Sequence, residues 1–407
     1  MKLFKHQQDI VDQFPQRHAL VWETGTGKSL AAIALAKKTK CVPLIIVPKA
    51  LKSNWRATVA REKLTALVIT KEEFRRDWNK LGKYDTVVVD EAHYFFGTKS
   101  DMKKSLQKYL LKHSVKYRYF LTATPYRSTP MDIYVMALLL GQPMNYPEFF
   151  RRFFIEIRMG MRYIPQPRKG IEGEIAGIVK RLGSIVRLDE CADVPEQTFE
   201  VEYFELTNEQ KKAISELVVF LPIVRYTKVH SICGGTLRGD EYNEPQEFKA
   251  DKMDRLKELV ASNPRVIVVC RYNHEIEILS KMFENSRVIN GEVAGDDRHE
   301  ILKSLQKSDN YVLIVNAACS EGWQLPGCPL MVFYSLDFSL KNFLQMKGRI
   351  LRIDALKKNT YIFLVVKETI DEDIYNCITV KKMDFHVEIY KKENRPLFPR
   401  NEEHAIS

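Results

Sequence analysis

Two short stretches hold residue types that handle phosphate. Glu23-Thr24-Gly25-Thr26-Gly27-Lys28-Ser29 is a glycine loop ending in lysine and serine, and Asp90-Glu91-Ala92-His93 closes the apolar run Val87-Val88-Val89. Glycines let backbone N–H groups approach phosphate oxygens, and a helix beginning behind them adds a favourable dipole. Thr24, Gly25, Thr26 and Gly27 are then expected to cradle a nucleotide. Lys28 is expected to reach its β and γ phosphates, and the Ser29 hydroxyl to bind Mg²⁺. Asp90 can hold the same Mg²⁺, while Glu91 can orient and deprotonate an attacking water. The expected chemistry is hydrolysis of ATP. One departure stands out: the strict phosphate-loop pattern wants glycine where Trp22 stands.

These residues need elements to position them. Ala19–Trp22, Leu44–Val47, Ala66–Ile69, Thr86–Val89 and Tyr117–Leu121 are short apolar runs, separated by helical patterns such as Leu30–Lys38. Such runs predict a parallel sheet covered on both faces, a doubly wound α/β domain. Residues 141–185 break the rhythm with aromatics and prolines, and read as a helical extension with a loop around 159–173. A second α/β series then follows, with strands at Arg265–Cys270, Arg287–Ile289, Tyr311–Val315, Leu330–Tyr334 and Tyr361–Val366. A chain of 407 residues exceeds what one core usually organises. The expected division is 1–190 and 191–407.

Composition agrees with a globular chain, at 45% hydrophobic and 28% charged residues. The formal charge of +11 favours a polyanionic partner, because basic groups near phosphates release condensed counterions. Seven cysteines, at 41, 191, 233, 270, 319, 328 and 377, include no C-x-x-C pair, which gives a zinc site no support. Their scatter suits reduced thiols and a cytoplasmic setting. No apolar run has the length to cross a bilayer, so no membrane partner is expected.

The order of motifs resembles the superfamily 2 helicases along nearly the whole chain. Leu3-Phe4-Lys5-His6-Gln7 is similar to their adenine-reading segment, with Gln7 as the implied base contact. Glu23–Ser29 resembles motif I, Val47-Pro48-Lys49 motif Ia, and Asp90–His93 the DEAH form of motif II. Leu121-Thr122-Ala123-Thr124-Pro125 resembles motif III, which implies that His93, Thr122 and Thr124 couple hydrolysis to movement. Within the superfamily the likeness is to Swi/Snf-type DNA translocases in a compact, bacterial or phage-like form. Ser53-Asn54-Trp55, Leu206–Gln210, Asn290-Gly291 with Arg298, and Ala318–Leu325 as motif V carry it. Gln345–Arg352 resembles motif VI, although Gln345-Met346 replaces the His-Arg of DEAD-box RNA helicases and Ile353-Asp354 the Gly-Gln of many Swi/Snf proteins.

The resemblance implies two tandem RecA-like domains with an ATP cleft between them. Arg349 and Arg352 are the implied arginine fingers, and Gly322 and Gln345 further nucleotide contacts. Lys49, Ser53, Asn54 and Thr70 on the first domain, with Arg271, Asn316 and Ser320 on the second, are candidate nucleic-acid contacts. The implied activity is a DNA-dependent ATPase that translocates on double-stranded DNA, with an unknown protein to recruit it. The alternatives are a strand-separating DEAH-type helicase on DNA or RNA, and a nucleotide-dependent binding protein that does not translocate. A eukaryotic source would make the setting nuclear.

Overall fold

The computed structural model describes residues 3–98, 100–124, 129–159, 162–191, 196–219, 222–239, 244–293, 295–321, 323–351, 358–381 and 385. The chain divides into two compact units, Met1–Asp193 and Val194–Ser407. Each is an α/β layer structure on a parallel six-stranded sheet, the tandem architecture expected from the sequence.

In the first unit the strands are β1 (Arg17–Trp22), β2 (Pro43–Val47), β3 (Leu67–Thr70), β4 (Thr86–Val89), β5 (Tyr117–Thr122), β6 (Phe154–Met159), β7 (Arg162–Pro167) and β8 (Gly183–Val186). Six of them form one sheet in the order β3-β2-β4-β5-β1-β8. Successive residues of a strand point to opposite faces, and here both faces are buried. Leu44 and Ile46 enter one core, with Ala19, Val21, Val87 and Val89, while Ile45 and Val47 enter the other, with Leu20, Trp22 and Val88. That is why these runs are continuously apolar rather than alternating.

The segment expected to be a helical extension holds two helices, Tyr146–Phe153 and Glu172–Leu182. It also holds an antiparallel ribbon, β6–β7, where a loop was expected. β8 then completes the sheet beside β1, with Ala19 paired to Gly183 and Trp22 to Val186. A Cβ on Gly183 would lie 1.9 Å from the Ala19 carbonyl oxygen, so glycine is what permits this approach.

The second unit has β9 (Gln197–Phe204), β10 (Thr236–Leu237), β11 (Gln246–Glu247), β12 (Arg265–Cys270), β13 (Ser286–Ile289), β14 (Tyr311–Asn316), β15 (Leu330–Phe333) and β16 (Asn359–Val366). Its sheet runs β13-β14-β12-β15-β16-β9, again all parallel. The alternating run at 197–204 is the edge strand, which explains its half-polar pattern. Cys233, Cys270, Cys328 and Cys377 are buried. No helix among the described residues is long and apolar enough to cross a membrane.

A polar network lies inside this second core. Lys252 Nζ donates to Asp371 Oδ2 at 3.1 Å and to the Tyr334 carbonyl at 2.9 Å, and His230 bonds Asp371 Oδ1 at 3.2 Å. Nearby, Glu275 Oε2 accepts from Ser335 Oγ at 2.5 Å and from the Tyr272 N–H at 3.3 Å. Glu275 is 1% exposed, and its Oε1 has no hydrogen-bond partner among the described residues. Burial pushes its carboxyl up from 4.5 to about 7, against the pull of Lys252. A raised carboxyl favours the protonated native state, so this contribution is full below about pH 4.5 and disappears as pH rises through about 7. Glu275→Gln should flatten that dependence and raise stability at pH 8 by up to about 3 kcal/mol. Denaturant unfolding of both proteins at pH 5 and pH 8 checks this; parallel pH profiles would contradict it.

Candidate nucleotide and nucleic-acid sites

Three adjacent parallel strands, β4, β5 and β1, deliver the candidate nucleotide residues to one carboxyl edge of the first sheet. Ligands of open α/β sheets bind at such edges. β1 ends at Trp22 and the glycine loop follows. β4 ends at Val89 and releases Asp90-Glu91, and β5 ends at Thr122 between them.

The loop turns through Gly25 at φ +93° and Gly27 at φ +78°, left-handed values that favour glycine. A Cβ on Gly27 would also fall 2.1 Å from Gln7 Nε2. Thr26 is fully buried, its hydroxyl donating to the Glu23 carbonyl at 2.7 Å and its own carbonyl accepting from Gln7 Nε2 at 3.0 Å. The helix Lys28–Lys38 begins directly after Gly27 and carries Ser29 in its first turn. Lys28 Nζ donates to the Trp22 and Glu23 carbonyls at 2.7 and 3.1 Å, which holds the ammonium at the mouth of the loop.

Trp22 itself is accounted for. It is the last residue of β1, fully buried, with Nε1 donating to Ser184 Oγ at 2.8 Å on β8. In an extended strand no glycine is needed, and the indole fills the core where a glycine would leave a hole.

Gln7, the implied base contact, packs against the glycine loop. Its side chain is fully buried, Nε2 donating to the Thr26 and Gly27 carbonyls at 3.0 and 3.3 Å and Oε1 accepting from the Phe4 N–H at 2.9 Å. The amide is therefore engaged with the phosphate loop in this structure.

Asp90 is 7% exposed. Its Oδ2 accepts from Trp55 Nε1 at 2.7 Å and its Oδ1 from the Glu91 N–H at 3.0 Å. Burial first and the Glu91 carboxylate second push its carboxyl up to about 7, a direction that a cation beside it would reverse. Glu91 sits at φ 46° and its Oε2 lies 3.1 Å from His93 Nδ1. His93, wholly buried, is also 3.3 Å from Thr122 Oγ1, which donates to the Thr124 carbonyl at 2.7 Å. A continuous polar chain thus joins the acidic pair to the end of β5.

These residues fit a nucleotide with Mg²⁺. Mg²⁺ needs only one or two protein oxygens when phosphates and water supply the others. Among the described residues no group of three or more His, Cys, Asp or Glu gathers as a self-sufficient metal cage. Ser29 and Asp90 are the oxygens that would hold it, and neutralising phosphate charge is the chemistry it would supply.

The second unit presents its candidates along one sheet edge as well. Arg271 follows β12, Asn316 ends β14, and Asp337 comes after β15. The Arg271 guanidinium pairs with Asp337 and lies 3.7 Å from the Phe338 ring centre, and Asn342 also bonds Asp337. Arg271 is therefore available to a phosphate only in competition with Asp337. Asn316 caps the short turn Ala317–Cys319 and donates to the Arg271 carbonyl at 3.2 Å.

Two of the expected contacts are engaged within the protein in this structure. Ser320 is fully buried and donates to Gln345 Oε1 at 3.0 Å. Thr70 is 6% exposed and caps the helix Lys71–Asp77, its Oγ1 accepting from the Glu73 N–H at 3.1 Å. By contrast Lys49, Ser53 and Asn54 are exposed around the start of the helix Lys52–Arg61.

Gln345, expected at the nucleotide, is 2% exposed and is held by that Ser320 bond. Arg349 does not lie on a helix face: the helix Leu340–Lys347 ends before it. It is 7% exposed, with a guanidinium N–H donating to the Trp323 carbonyl at 2.8 Å. Trp323 is 2% exposed and belongs to the core. Gly322 and Arg352 lie outside the described residues, as does Pro125.

Sequence reasoning missed three partners that tie the first site together. Trp55 holds Asp90 across 35 residues, and Ser184 holds Trp22 across 162. Glu23 Oε2 accepts the Leu188 N–H at 3.0 Å across 165. A paired indole and carboxylate leave no local spacing signal, so none of these was open to a single sequence.

A glycine loop and an acidic strand end on one parallel sheet, followed by a second parallel sheet, define a tandem α/β architecture. Residues 251–354 match the helicase conserved C-terminal domain. The chain is 25% identical over 307 residues to putative helicase 22 of a Sulfolobus islandicus filamentous virus, covering 74% of this chain and 45% of that protein. It is 22% identical over 314 residues to a SWI/SNF-related matrix-associated actin-dependent regulator of chromatin subfamily A-like protein 1 of Drosophila melanogaster, covering 74% and 41%. It is 24% identical over 394 residues to the DNA 3'-5' translocase XPB2 of Sulfurisphaera tokodaii, covering 88% and 79%. The chain spans less than half the length of the viral and Drosophila relatives. The likeness to superfamily 2 proteins of the Swi/Snf type, carried by motif order, is supported by these matches.

Proposed function

We propose that the chain is an ATP-driven motor that moves along double-stranded DNA, remodelling it or displacing proteins bound to it. The observation that carries this reading is the convergence of Lys28, Asp90 and Glu91 on the edge formed by β1, β4 and β5. Lys28 would bind the β and γ phosphates, and Glu91 would orient the attacking water and take its proton. His93, between Glu91 and Thr122, would pass a change at the acidic pair to β5, the coupling any motor requires. Duplex DNA as the track draws support from the Swi/Snf-type relatives and from the relative described as a DNA translocase.

The test is ATP turnover measured with duplex DNA, single-stranded DNA and RNA, beside displacement of a third strand from a triplex. Duplex DNA should stimulate turnover most, and the third strand should leave only with ATP. Stimulation by RNA alone would overturn the assignment of the track. Separation of a partial duplex without triplex displacement would favour a strand-separating helicase instead.

A further inference from the structure

The net charge of +11 is not spread evenly along the chain. Between residues 151 and 169 stand Arg151, Arg152, Arg158, Arg162, Arg168 and Lys169 against the single carboxylate of Glu156, a net charge of +5. Nearly half of the excess lies on about a twentieth of the sequence. The two strands in this stretch form the β6–β7 ribbon. Phe154 stands opposite Pro167 and Met159 opposite Arg162, and the ribbon is a two-stranded sheet of its own. It grows directly from the helix Tyr146–Phe153, whose Phe149 and Phe153 are buried in the core of the first unit. The charged base of the ribbon is therefore fixed to a rigid element. Arg151, Arg168 and Lys169 are exposed there, while Arg152 is engaged by Glu174 at 2.6 Å.

Two kinds of partner compete for an exposed ribbon. A protein strand would need a free edge with backbone donors; Pro165 and Pro167 remove two donors from β7, whereas β6 has no proline and would be the only edge open to one. A charged, proline-bearing edge is how sheets avoid strand addition. The exposed cations sit at the base of the ribbon, where Arg151, Arg168 and Lys169 flank its two strands. Duplex DNA carries one negative charge per roughly 1.7 Å of its axis. Its major groove also admits a two-stranded ribbon.

We propose that the exposed base of the β6–β7 ribbon, Arg151, Arg168 and Lys169, is a contact for the phosphate backbone of duplex DNA, separate from the residues at the sheet edges. This rests on the reading of the chain as a DNA motor. The contact reads no sequence, because charge on phosphate oxygens carries none. It gives the first unit a hold on the track that does not pass through the nucleotide residues.

The test compares the full chain with Arg151→Gln/Arg168→Gln/Lys169→Gln in binding a duplex of random sequence as salt is raised. The plot of log affinity against log salt should become shallower by about 3. Between 50 and 200 mM salt the unaltered chain should then lose about 40-fold more affinity than the variant. Turnover of ATP without DNA should not change. A second variant, Lys80→Gln/Lys104→Gln/Lys112→Gln, removes three exposed lysines elsewhere on the same unit and should keep the original slope. Equal slopes for the ribbon variant and the unaltered chain overturn the ribbon contact alone. Equal losses in both variants overturn it too, since only net charge would then matter. If the unaltered chain shows no salt-dependent duplex binding, the motor reading fails and the ribbon contact with it.

Discussion

Lys28→Ala should lower ATP turnover by at least about 100-fold while leaving the first unit folded. Two effects of the substitution can be compared. Structurally, it removes hydrogen bonds from Nζ to the Trp22 and Glu23 carbonyls. Net, each such bond is worth about 1 kcal/mol, and the Glu23 acceptor belongs to an exposed residue. Chemically, it removes the cation expected at the transferring phosphate, where fixed charge contributes about 3–4 kcal/mol to the transition state. The chemical loss therefore exceeds the structural one. The measurement is steady-state phosphate release with saturating duplex DNA, beside thermal unfolding of the same preparation. Turnover within threefold of the unaltered chain would remove Lys28 from the reaction. Loss of both turnover and folding would mean that the lysine's place in the loop was chiefly structural.

Much of the scaffold behind Lys28 could be read from sequence, for a physical reason. Strands buried on both faces are apolar at nearly every position, so Leu44–Val47 and Val87–Val89 show as unbroken runs. Each run stops where the chain leaves the sheet and polar chemistry begins. β8 was missed because its Gly183 breaks the apolar run, although that glycine is what lets it approach Ala19. The β6–β7 ribbon was missed because prolines and arginines resemble a loop when no partner strand is known. Individual polar residues were harder still. Thr70 and Asn316 satisfy nearby backbone N–H groups, a use that competes with ligand contact and has the same appearance in sequence. Ser320 and Gln345 are 25 residues apart, and only the fold shows that each is the other's partner. The same holds for Arg271, whose charge reads as free until Asp337 is placed beside it.

Lys252→Met should destabilise the second unit by about 3–5 kcal/mol. Lys252 is 1% exposed, and it lies between the Asp371 carboxylate and the Tyr334 carbonyl. Burial alone would raise the Asp371 carboxyl; the Lys252 charge and the His230 hydrogen bond overcome this and hold it at about 2. Burial likewise works against the Lys252 ammonium, yet the Asp371 and Glu275 carboxylates keep its pKa above the ordinary value. Methionine keeps most of the side-chain volume and cannot replace the charge. The cost is thus that of a carboxylate left in an apolar core, not of a cavity. The sign with pH follows from the depressed carboxyl. Its contribution is present above the ordinary carboxylate range near 4 and is lost as pH falls toward about 2. The deficit of the variant should accordingly be largest at neutral pH and shrink in acid. Trp323 is the one tryptophan in 194–407, so its emission during denaturant unfolding contributes the signal of this unit. Lys252→Met/Asp371→Asn should lose less than the two single changes added together, because the second change removes the stranded charge. Strict additivity, or a neutral-pH midpoint unchanged by Lys252→Met, would show that the ammonium and carboxylate do not support each other. In that case the cohesion of the second sheet would rest on its apolar layers alone.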